Sequence, residues 1–380
     1  MSPTPKLSGT DLIHGDTSVV GASRREVAPS ISVTTTFRAP KPEDQAIHAD
    51  LLDLSNPTRH VYSRYTQDVS TRVEHILGKI NHGYALTYSS GLSAAYAALV
   101  YFQPKRLAIR GGYHGCHATI DVYKKTRGEN ITLVDLDDEF QPGDLCWLET
   151  PVNPTGESRD IRYYADKVHK AGGKIIIDST FGPPPLQYPF KFGADCVLHS
   201  GTKYFGGHSD LLAGVLVVKD KKDWDTLHTD RTYLGSMMGS LESWLLLRSL
   251  KTLHLRVPPA EVNTMALLGA LSPKSGTPPF SRWTSVVSHP KTQMEGGYNA
   301  TFSFKMKTPE YAAQLPHLLN YFVPATSLGG VESLIERRLD SDPGEDPALI
   351  RVSIGVEDLE DLKSDLRQGL RKLVKLPAKL

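Results

Sequence analysis

The chain has 380 residues, with 43 Lys and Arg against 42 Asp and Glu, for a formal net charge of +1. This balance creates no strong field, so we expect neither nucleic acid nor a membrane surface as a partner. The length exceeds one small core and predicts a larger and a smaller domain. The three cysteines lack paired spacing, and no signal peptide or membrane-length apolar stretch is visible. These features predict a cytoplasmic protein.

The first 60 residues contain Pro29, Pro40 and Pro42 and lack a helical period. This composition is typical of an extended arm that lies over a neighbouring subunit, and equally of a free tail. Apolar residues then recur at helical spacing and predict a helix over 67–80. We therefore divide the chain into an N-terminal arm (1–60), a large domain (61–240) and a small C-terminal domain (241–380).

From residue 84 onward, strand-like and helix-like segments alternate. This order predicts an α/β fold, with a mostly parallel sheet and helices on both faces. Ligands of such sheets bind at the carboxyl ends of the strands, and several polar residues fall there: Ser89, Ser90, Gly91, Tyr113, Asn153, Asp178 and Lys203. We further predict one long apolar helix over 236–256, a flexible loop over 272–283, and a small α/β domain after them.

Lys203 directly follows Ser200-Gly201-Thr202, and Asp178 ends the strand-like segment KIIIDST. A lysine amine forms Schiff bases with carbonyl groups. A pyridoxal 5′-phosphate (PLP) site needs such a lysine and an acid that faces the pyridine nitrogen. A surface lysine and a helix-capping aspartate are the alternative interpretation of the same two residues. We also assign Thr180, at the end of KIIIDST, to the cofactor-binding residues.

A phosphate group requires a cradle of backbone amides at a helix N-terminus. Ser90, Gly91 and Leu92 stand at the predicted start of a helix, and Ser200 and Thr202 add hydroxyls from the turn before the lysine. An ordinary capped helix is the alternative. The phosphate-binding interpretation of this segment therefore depends on the other candidate residues of the site.

Tyr113 ends the strand-like segment RLAIRGGY, where its ring would stack on a cofactor. A core tyrosine is the alternative. His114, Cys116 and His117 follow in the same turn without a second ligand cluster, so we expect no metal. The chain has no GxGxxG or GxxxxGK[ST] motif, which disfavours nucleotide binding.

Seven motifs stand together in one order: VYSRY, YSSGLSAAYAAL, ETPVNPTG, IDSTFGPP, SGTKYFGGHSD, ATSLGGVESLI and LIRVSIGVEDLEDL. With them the chain resembles the Cys/Met-metabolism PLP enzymes from about residue 13 to 370. That family includes cystathionine γ-synthases, cystathionine γ- and β-lyases, methionine γ-lyases and O-acylhomoserine sulfhydrylases. The resemblance implies the type I aminotransferase-like PLP fold, with a mostly parallel sheet in the large domain and a smaller C-terminal α/β domain.

The resemblance also implies residue roles within one subunit. Lys203 holds PLP, Asp178 pairs with its ring nitrogen, and Tyr113 stacks on the ring. Arg351 binds the substrate α-carboxylate, and Asn153 and Ser327 lie beside the ring and the lysine in contact with substrate. The implied phosphate-binding residues are Gly91, Leu92, Ser200 and Thr202.

Between subunits, the resemblance implies that Tyr62 and Arg64 reach the cofactor phosphate of a neighbouring chain, with Tyr62 also near the substrate. The active site is then shared across a homodimer, and two such dimers form a tetramer. The small amino-acid substrate is the other expected partner.

The chain departs from the family pattern in several places. The usual GNPT after YSRY is TQDVS here, and the usual YGGT is Tyr113-His114-Gly115-Cys116. Thr326 replaces a glutamate that helps cystathionine-handling members select the distal part of their substrate. The segment ERRLDSDPGEDPA (336–348) replaces HPASMTH. The loss of that glutamate puts cystathionine itself in doubt as the substrate, and the change over 336–348 alters a surface near the expected substrate mouth.

The resemblance implies γ-replacement on an activated homoserine such as O-acyl-L-homoserine, as in a cystathionine γ-synthase. The first alternative is a cystathionine γ- or β-lyase, which eliminates at a C–S bond. A catalytically weak PLP-binding protein is an alternative of another class.

Overall fold

The computed structural model describes residues 7–19, 26–41, 52–127, 131–271, 280–284 and 292–375. Its helices are α1 Gly9–His14, α2 Asp68–Asn81, α3 Gly91–Phe102, α4 His114–Arg127, α5 Ile161–Lys170, α6 Lys221–Leu234, α7 Ser240–Leu250, α8 Leu253–Leu271, α9 Pro309–Gln314 and α10 Leu359–Lys375. Its strands are β1 Tyr84–Tyr88, β2 Arg106–Ala108, β3 Thr132–Val134, β4 Leu145–Glu149, β5 Lys174–Asp178, β6 Cys196–Ser200, β7 Gly214–Val218, β8 Phe280–Thr284, β9 Thr301–Met306, β10 Val323–Pro324, β11 Leu334–Arg337 and β12 Leu349–Ser353.

The larger sheet has the strand order β1-β7-β6-β5-β4-β2-β3. Only β7 runs against its neighbours, and the other pairings from β6 to β3 are parallel. Parallel pairs need crossover connections, which the intervening helices supply. The predicted α/β architecture with a mostly parallel sheet is confirmed.

Both faces of this sheet are buried, because side chains alternate across a strand and helices cover each side. In β5, Ile175 and Ile177 pack into one apolar cluster, whereas Ile176 packs into the cluster on the opposite face. The near-continuous apolar run of this strand follows from that double burial. This burial on both faces also holds β5 in place, with Asp178 at its carboxyl end.

The predicted helix over 67–80 is confirmed as α2, whose buried side chains include Val69, Val73 and Ile76. Helix α1 packs on α2, with Leu12 fully buried in the same cluster. Part of the predicted arm is thus joined to the core. The boundaries after residues 60 and 240 stay predictions.

The smaller sheet has the order β10-β11-β12-β9-β8. Its described apolar core combines strand residues with the inner face of α10, including Phe302, Phe304, Ile350 and Leu366. The turn after β11 and the strand β12 extend from this sheet toward the edge of the larger one.

Two predictions about the middle of the chain need correction. The helix predicted over 236–256 is two helices, α7 and α8. At the break, the Ser249 carbonyl near the end of α7 accepts the Thr252 N–H at 3.1 Å and the Arg256 guanidinium at 2.9 Å, so that it is satisfied without a continuing helix. The loop predicted over 272–283 is wrong for 280–283, which belong to β8, and 272–279 lie outside the described residues.

Within the described part of the chain, every helix is too short or too polar to cross a bilayer.

Candidate active site

A cavity of about 480 Å³ opens at the carboxyl ends of β4, β5 and β6, between the larger sheet and the turns of the small domain. Most of the residues predicted from the sequence line it: Ser90, Gly91, Leu92, Tyr113, Asn153, Asp178, Thr180, Ser200, Thr202, Lys203, Ser327 and Arg351. These residues lie far apart in the chain. Their convergence in one cavity favours the site interpretation over the separate alternatives.

Lys203 lies in the turn after β6, and its Nζ donates to the Ser327 hydroxyl at 3.0 Å. Burial, followed by the nearby Arg351 cation, lowers the pKa of Lys203 to about 8. A buried lysine of this kind is partly neutral at physiological pH and is therefore nucleophilic. Ser327 has φ 100°, an uncommon conformation for a non-glycine residue, which directs it at the lysine.

Asp178 is 5% exposed at the end of β5, and its Oδ1 accepts the Thr180 N–H at 3.0 Å. Burial raises the pKa of Asp178 to about 6. A carboxylate in this setting gains strongly from a bound cation, because water solvates it poorly. The protonated nitrogen of a pyridine ring is such a cation.

Glu149 is a buried acid beside Asp178 that the sequence interpretation missed. The two residues are register partners at the ends of β4 and β5. Glu149 accepts the backbone N–H groups of Tyr113 at 2.7 Å and Asn153 at 2.6 Å. Burial, followed by the Asp178 charge, raises the pKa of Glu149 to about 8. The strand-end rule that selected Asp178 would also have selected this residue.

The N-terminus of α3 faces the turn that carries Lys203. Ser90 caps the helix, and its Oγ accepts the Ser93 N–H at 3.1 Å. A Cβ atom at Gly91 would lie 3.2 Å from the Ser200 hydroxyl, so the absence of a side chain keeps this space open. Free backbone amides, hydroxyls and open space together fit a phosphate group.

Tyr113 lies at the cavity edge and is 39% exposed. Partial burial raises the pKa of its phenol. Its ring lies close over the backbone of Gly115, where a Cβ atom would approach to 2.5 Å. Together with the bond from Glu149, this contact fixes the orientation of Tyr113 toward the cavity.

Arg351 projects from β12 and is buried. Its guanidinium donates to Asn153 Oδ1 at 2.9 Å, to Thr326 Oγ1 at 3.3 Å and to the Ser327 carbonyl at 3.1 Å. It also forms an ion pair with Glu336. Burial lowers the pKa of Arg351 to about 10, which leaves it cationic at neutral pH. A guanidinium of this kind is suited to binding a carboxylate in bidentate fashion.

The departures from the family pattern at 113–116, Thr326 and 336–348 meet on one side of the cavity, whereas TQDVS (66–70) does not line it. We call this side the distal wall and define it as His114, Thr326, Glu336, Arg338, Ser341 and Asp342. Arg338 donates to Glu336 Oε1 at 2.7 Å and to Ser341 Oγ at 2.9 Å. Thr326 donates to the same Glu336 oxygen at 3.3 Å. His114 Nδ1 lies 3.3 Å from Asp342 Oδ2. The sequence interpretation identified these departures one by one but gave no signal that they touch.

Tyr62 and Arg64 do not line this cavity. Arg64 donates to the Thr232 carbonyl at 3.2 Å, and its guanidinium lies over the rings of Tyr62 and Tyr65 at 5.4 and 5.5 Å. Their predicted contact with the phosphate of a neighbouring chain stays a prediction.

The histidines and cysteine of the 114–117 turn point to different neighbours. His117 Nε2 lies 2.9 Å from the Gly111 carbonyl, and Cys116 is a buried residue of the cavity lining. Among the described residues, no group of three or more His, Cys, Asp or Glu side chains is arranged for a metal ion.

The cavity offers each group that PLP requires. A lysine with a lowered pKa lies across from a buried acid, and a helix N-terminus with neighbouring hydroxyls provides an anion site. Lys203, Asp178 and the N-terminal turn of α3 would hold the aldehyde, the ring nitrogen and the phosphate, respectively.

Comparison with known proteins agrees with this fit. The family described as Cys/Met metabolism PLP-dependent enzyme matches residues 9–371. A cystathionine gamma-lyase of Dictyostelium discoideum is 33% identical over 96% of this chain and 97% of its own length. A cystathionine gamma-synthase/O-acetylhomoserine (thiol)-lyase of Bacillus subtilis is 31% identical over 84% and 85%, respectively.

A solved structure of the cystathionine gamma synthase of Xanthomonas oryzae, in complex with cystathionine, superimposes with a TM-score of 0.82 and 27% identity. The match covers 98% of this chain and 99% of that one. The predicted type I PLP fold is confirmed. The similar proteins include both synthases and lyases. The protein belongs to the Cys/Met metabolism family of PLP-dependent enzymes, and pyridoxal 5′-phosphate is its cofactor.

Proposed function

We propose that the enzyme catalyses γ-replacement on an activated homoserine such as O-acyl-L-homoserine, in the manner of a cystathionine γ-synthase. Bound PLP supplies an aldehyde that condenses with amines and a ring that withdraws electrons from the substrate Cα. The Bacillus subtilis relative, named for synthase and thiol-lyase activities, supports the proposal.

Three residues would divide the work on the substrate. The Arg351 guanidinium binds the α-carboxylate and so fixes the position of Cα. Once displaced from the cofactor, Lys203 Nζ accepts the Cα proton as a general base, which its pKa of about 8 suits. Tyr113, held by Glu149, lies at the cavity edge, where its phenol can donate a proton to the leaving γ-substituent.

The choice of a synthase over a lyase rests on Glu336, the acid that contacts Thr326 on the distal wall. Thr326 stands where the family glutamate would recognise the distal end of cystathionine. The nearby Glu336 carboxylate is already engaged by Arg351 and Arg338. Glu336 is therefore not free to take the place of that glutamate for the ammonium group of a cystathionine. This favours a smaller activated homoserine over cystathionine as the amino-acid substrate.

A substrate comparison tests the proposal. The purified holoenzyme is incubated with O-acetyl-L-homoserine plus L-cysteine, and separately with L-cystathionine, and the products are identified by mass spectrometry. We expect cystathionine formation to be the faster reaction. Faster release of 2-oxobutanoate or pyruvate from cystathionine would instead establish the lyase, which the 33% identity to a gamma-lyase favours. No turnover with a full PLP load would favour the weak PLP-binding protein.

We infer that the enzyme is a homo-oligomer in which Tyr62 and Arg64 complete the site of a neighbouring subunit. Their position outside the cavity of their own chain supports this arrangement. Inactive Lys203→Ala and Arg64→Met variants can be unfolded, mixed and refolded together. A shared site predicts recovery of about a quarter of wild-type activity, because half of the dimers regain one intact site. No recovery would contradict the shared site.

A further inference from the structure

Arg338 is a buried cation on the distal wall that the proposed reaction does not use. It lies just after β11, in the segment that departs from the family pattern, and is 2% exposed. Its side chain lines the cavity, opposite the cofactor-binding elements. Its Nε is buried and has no hydrogen-bond partner among the described residues. A buried N–H group without an acceptor costs free energy, and an acceptor atom on a bound ligand would recover it.

The acid that neutralises Arg338 is shared. Glu336 Oε1 accepts from Arg338 at 2.7 Å and also pairs with Arg351. Asp342 forms a longer ion pair with Arg338, at 3.8 Å, and its Oδ2 also lies 3.3 Å from His114. Glu336 is thus the one close carboxylate partner of both buried guanidiniums among the described residues. None of these contacts engages Arg338 Nε.

The two arginines are suited to two different anions. Arg351 contacts Asn153 and Ser327 beside Lys203, which suits the α-carboxylate. Arg338 contacts Glu336 and Ser341 instead, and it lines the cavity together with His114 and Ser341. An anion bound there would belong to the far end of the side chain of the same amino acid.

We propose that Arg338 is a specificity-determining residue, which binds an anionic group, a carboxylate or a phosphate, at the end of the substrate's γ-substituent. The inference rests on the proposed function for the homoserine part of that substrate. Recognition by Arg338 requires only an amino acid that carries an anionic group in addition to its α-carboxylate.

Binding of inert ligands tests the recognition independently of turnover. The PLP-loaded enzyme is titrated by calorimetry with L-2-aminoadipate and with L-norleucine, which differ in having a terminal carboxylate or methyl group. A charge-assisted contact predicts about 10- to 100-fold tighter binding of aminoadipate by the wild type. Arg338→Met should remove this preference. Equal affinities in the wild type would overturn the proposal.

Arg337→Met is the matched control, because Arg337 is the adjacent arginine and pairs with Asp340 outside the cavity. It should keep the preference for aminoadipate. If Arg338→Met fails to fold, the double variant Glu336→Gln/Arg338→Met removes both charges of the pair and tests the same loss. A double variant that folds and still prefers aminoadipate would contradict the role of Arg338.

Kinetics then identify the anion. We compare kcat/KM for the O-acetyl, O-succinyl and O-phospho esters of L-homoserine, with cysteine as the nucleophile. Arg338→Met should lower kcat/KM for the anionic ester that the wild type prefers by about 10-fold or more and leave the O-acetyl ester within about 3-fold. A wild type that prefers the neutral ester would overturn the inference. If no ester is consumed, the proposed function fails, and the titrations still decide the role of Arg338.

Discussion

The two sides of the cavity are built in different ways. On the side of the large domain, Asp178 and Glu149 are held by the register of adjacent parallel strands, and Lys203 follows in the turn after the next strand. On the distal wall, the geometry depends on side-chain ion pairs that Glu336 forms with Arg338 and with the neighbouring Arg351. Backbone register resists substitution, whereas an ion-pair network changes with each residue. We infer that the first side fixes the cofactor chemistry and that the distal wall selects the substrate.

The largest expected effect comes from Lys203 on the cofactor side. Lys203→Ala should lower kcat by about 10²- to 10⁴-fold, because the general base is lost. Reduction with borohydride followed by intact-mass measurement should show no covalently retained cofactor. Lys191→Ala, at a partly exposed lysine paired with Glu295, is the control and should retain the added mass. An added mass on Lys203→Ala would refute the lysine assignment.

Arg351 should show a smaller loss of a different kind. Arg351→Met removes the bidentate partner of the α-carboxylate and should raise KM by about 10- to 100-fold, with a lesser change in kcat. Arg351→Lys should recover little of this loss, since an ammonium group cannot replace the planar fork. Steady-state kinetics measure both values. An unchanged KM in both variants would show that the carboxylate binds elsewhere.

The pH dependence of cofactor capture links the two sides. The pKa of Lys203 is lowered to about 8 by burial and by the Arg351 cation. The rate at which the apoprotein captures PLP should therefore rise with pH and level off above about 8, as the amine becomes neutral. Arg351→Met should move this inflection to higher pH. Stopped-flow absorbance from pH 6 to 10 measures it, and an inflection near the ordinary lysine value would contradict the burial argument.

The smallest expected effect concerns backbone strain at Ser327. Both Ser327→Ala and Ser327→Gly remove the hydroxyl that accepts from Lys203. At φ 100°, alanine retains the steric cost that glycine avoids. The glycine variant should therefore be more stable than the alanine variant by about 1–2 kcal/mol. Urea unfolding measures the difference, and a more stable alanine variant would contradict the strain.

Much of the cofactor side could be predicted from the sequence. Asp178 and Lys203 end apolar strand-like runs, and parallel strands bring their carboxyl ends to one edge. The same rule applies to Glu149, which the sequence interpretation left unused. The split of the helix over 236–256 could not be read from periodicity, because the apolar pattern continues across it. At that break, bonds from Thr252 and Arg256 satisfy the Ser249 carbonyl near the end of α7.

By itself, the sequence determined the α/β class, the family and the lysine–aspartate pair, because local patterning and motif order fix strands, helices and their ends. Only the tertiary structure decided that His114, Thr326 and Arg338 belong to one wall. Their contacts join segments of the chain that no periodicity relates. The charge on that wall depends on burial and on the sharing of Glu336 between two arginines, which are properties of packed side chains.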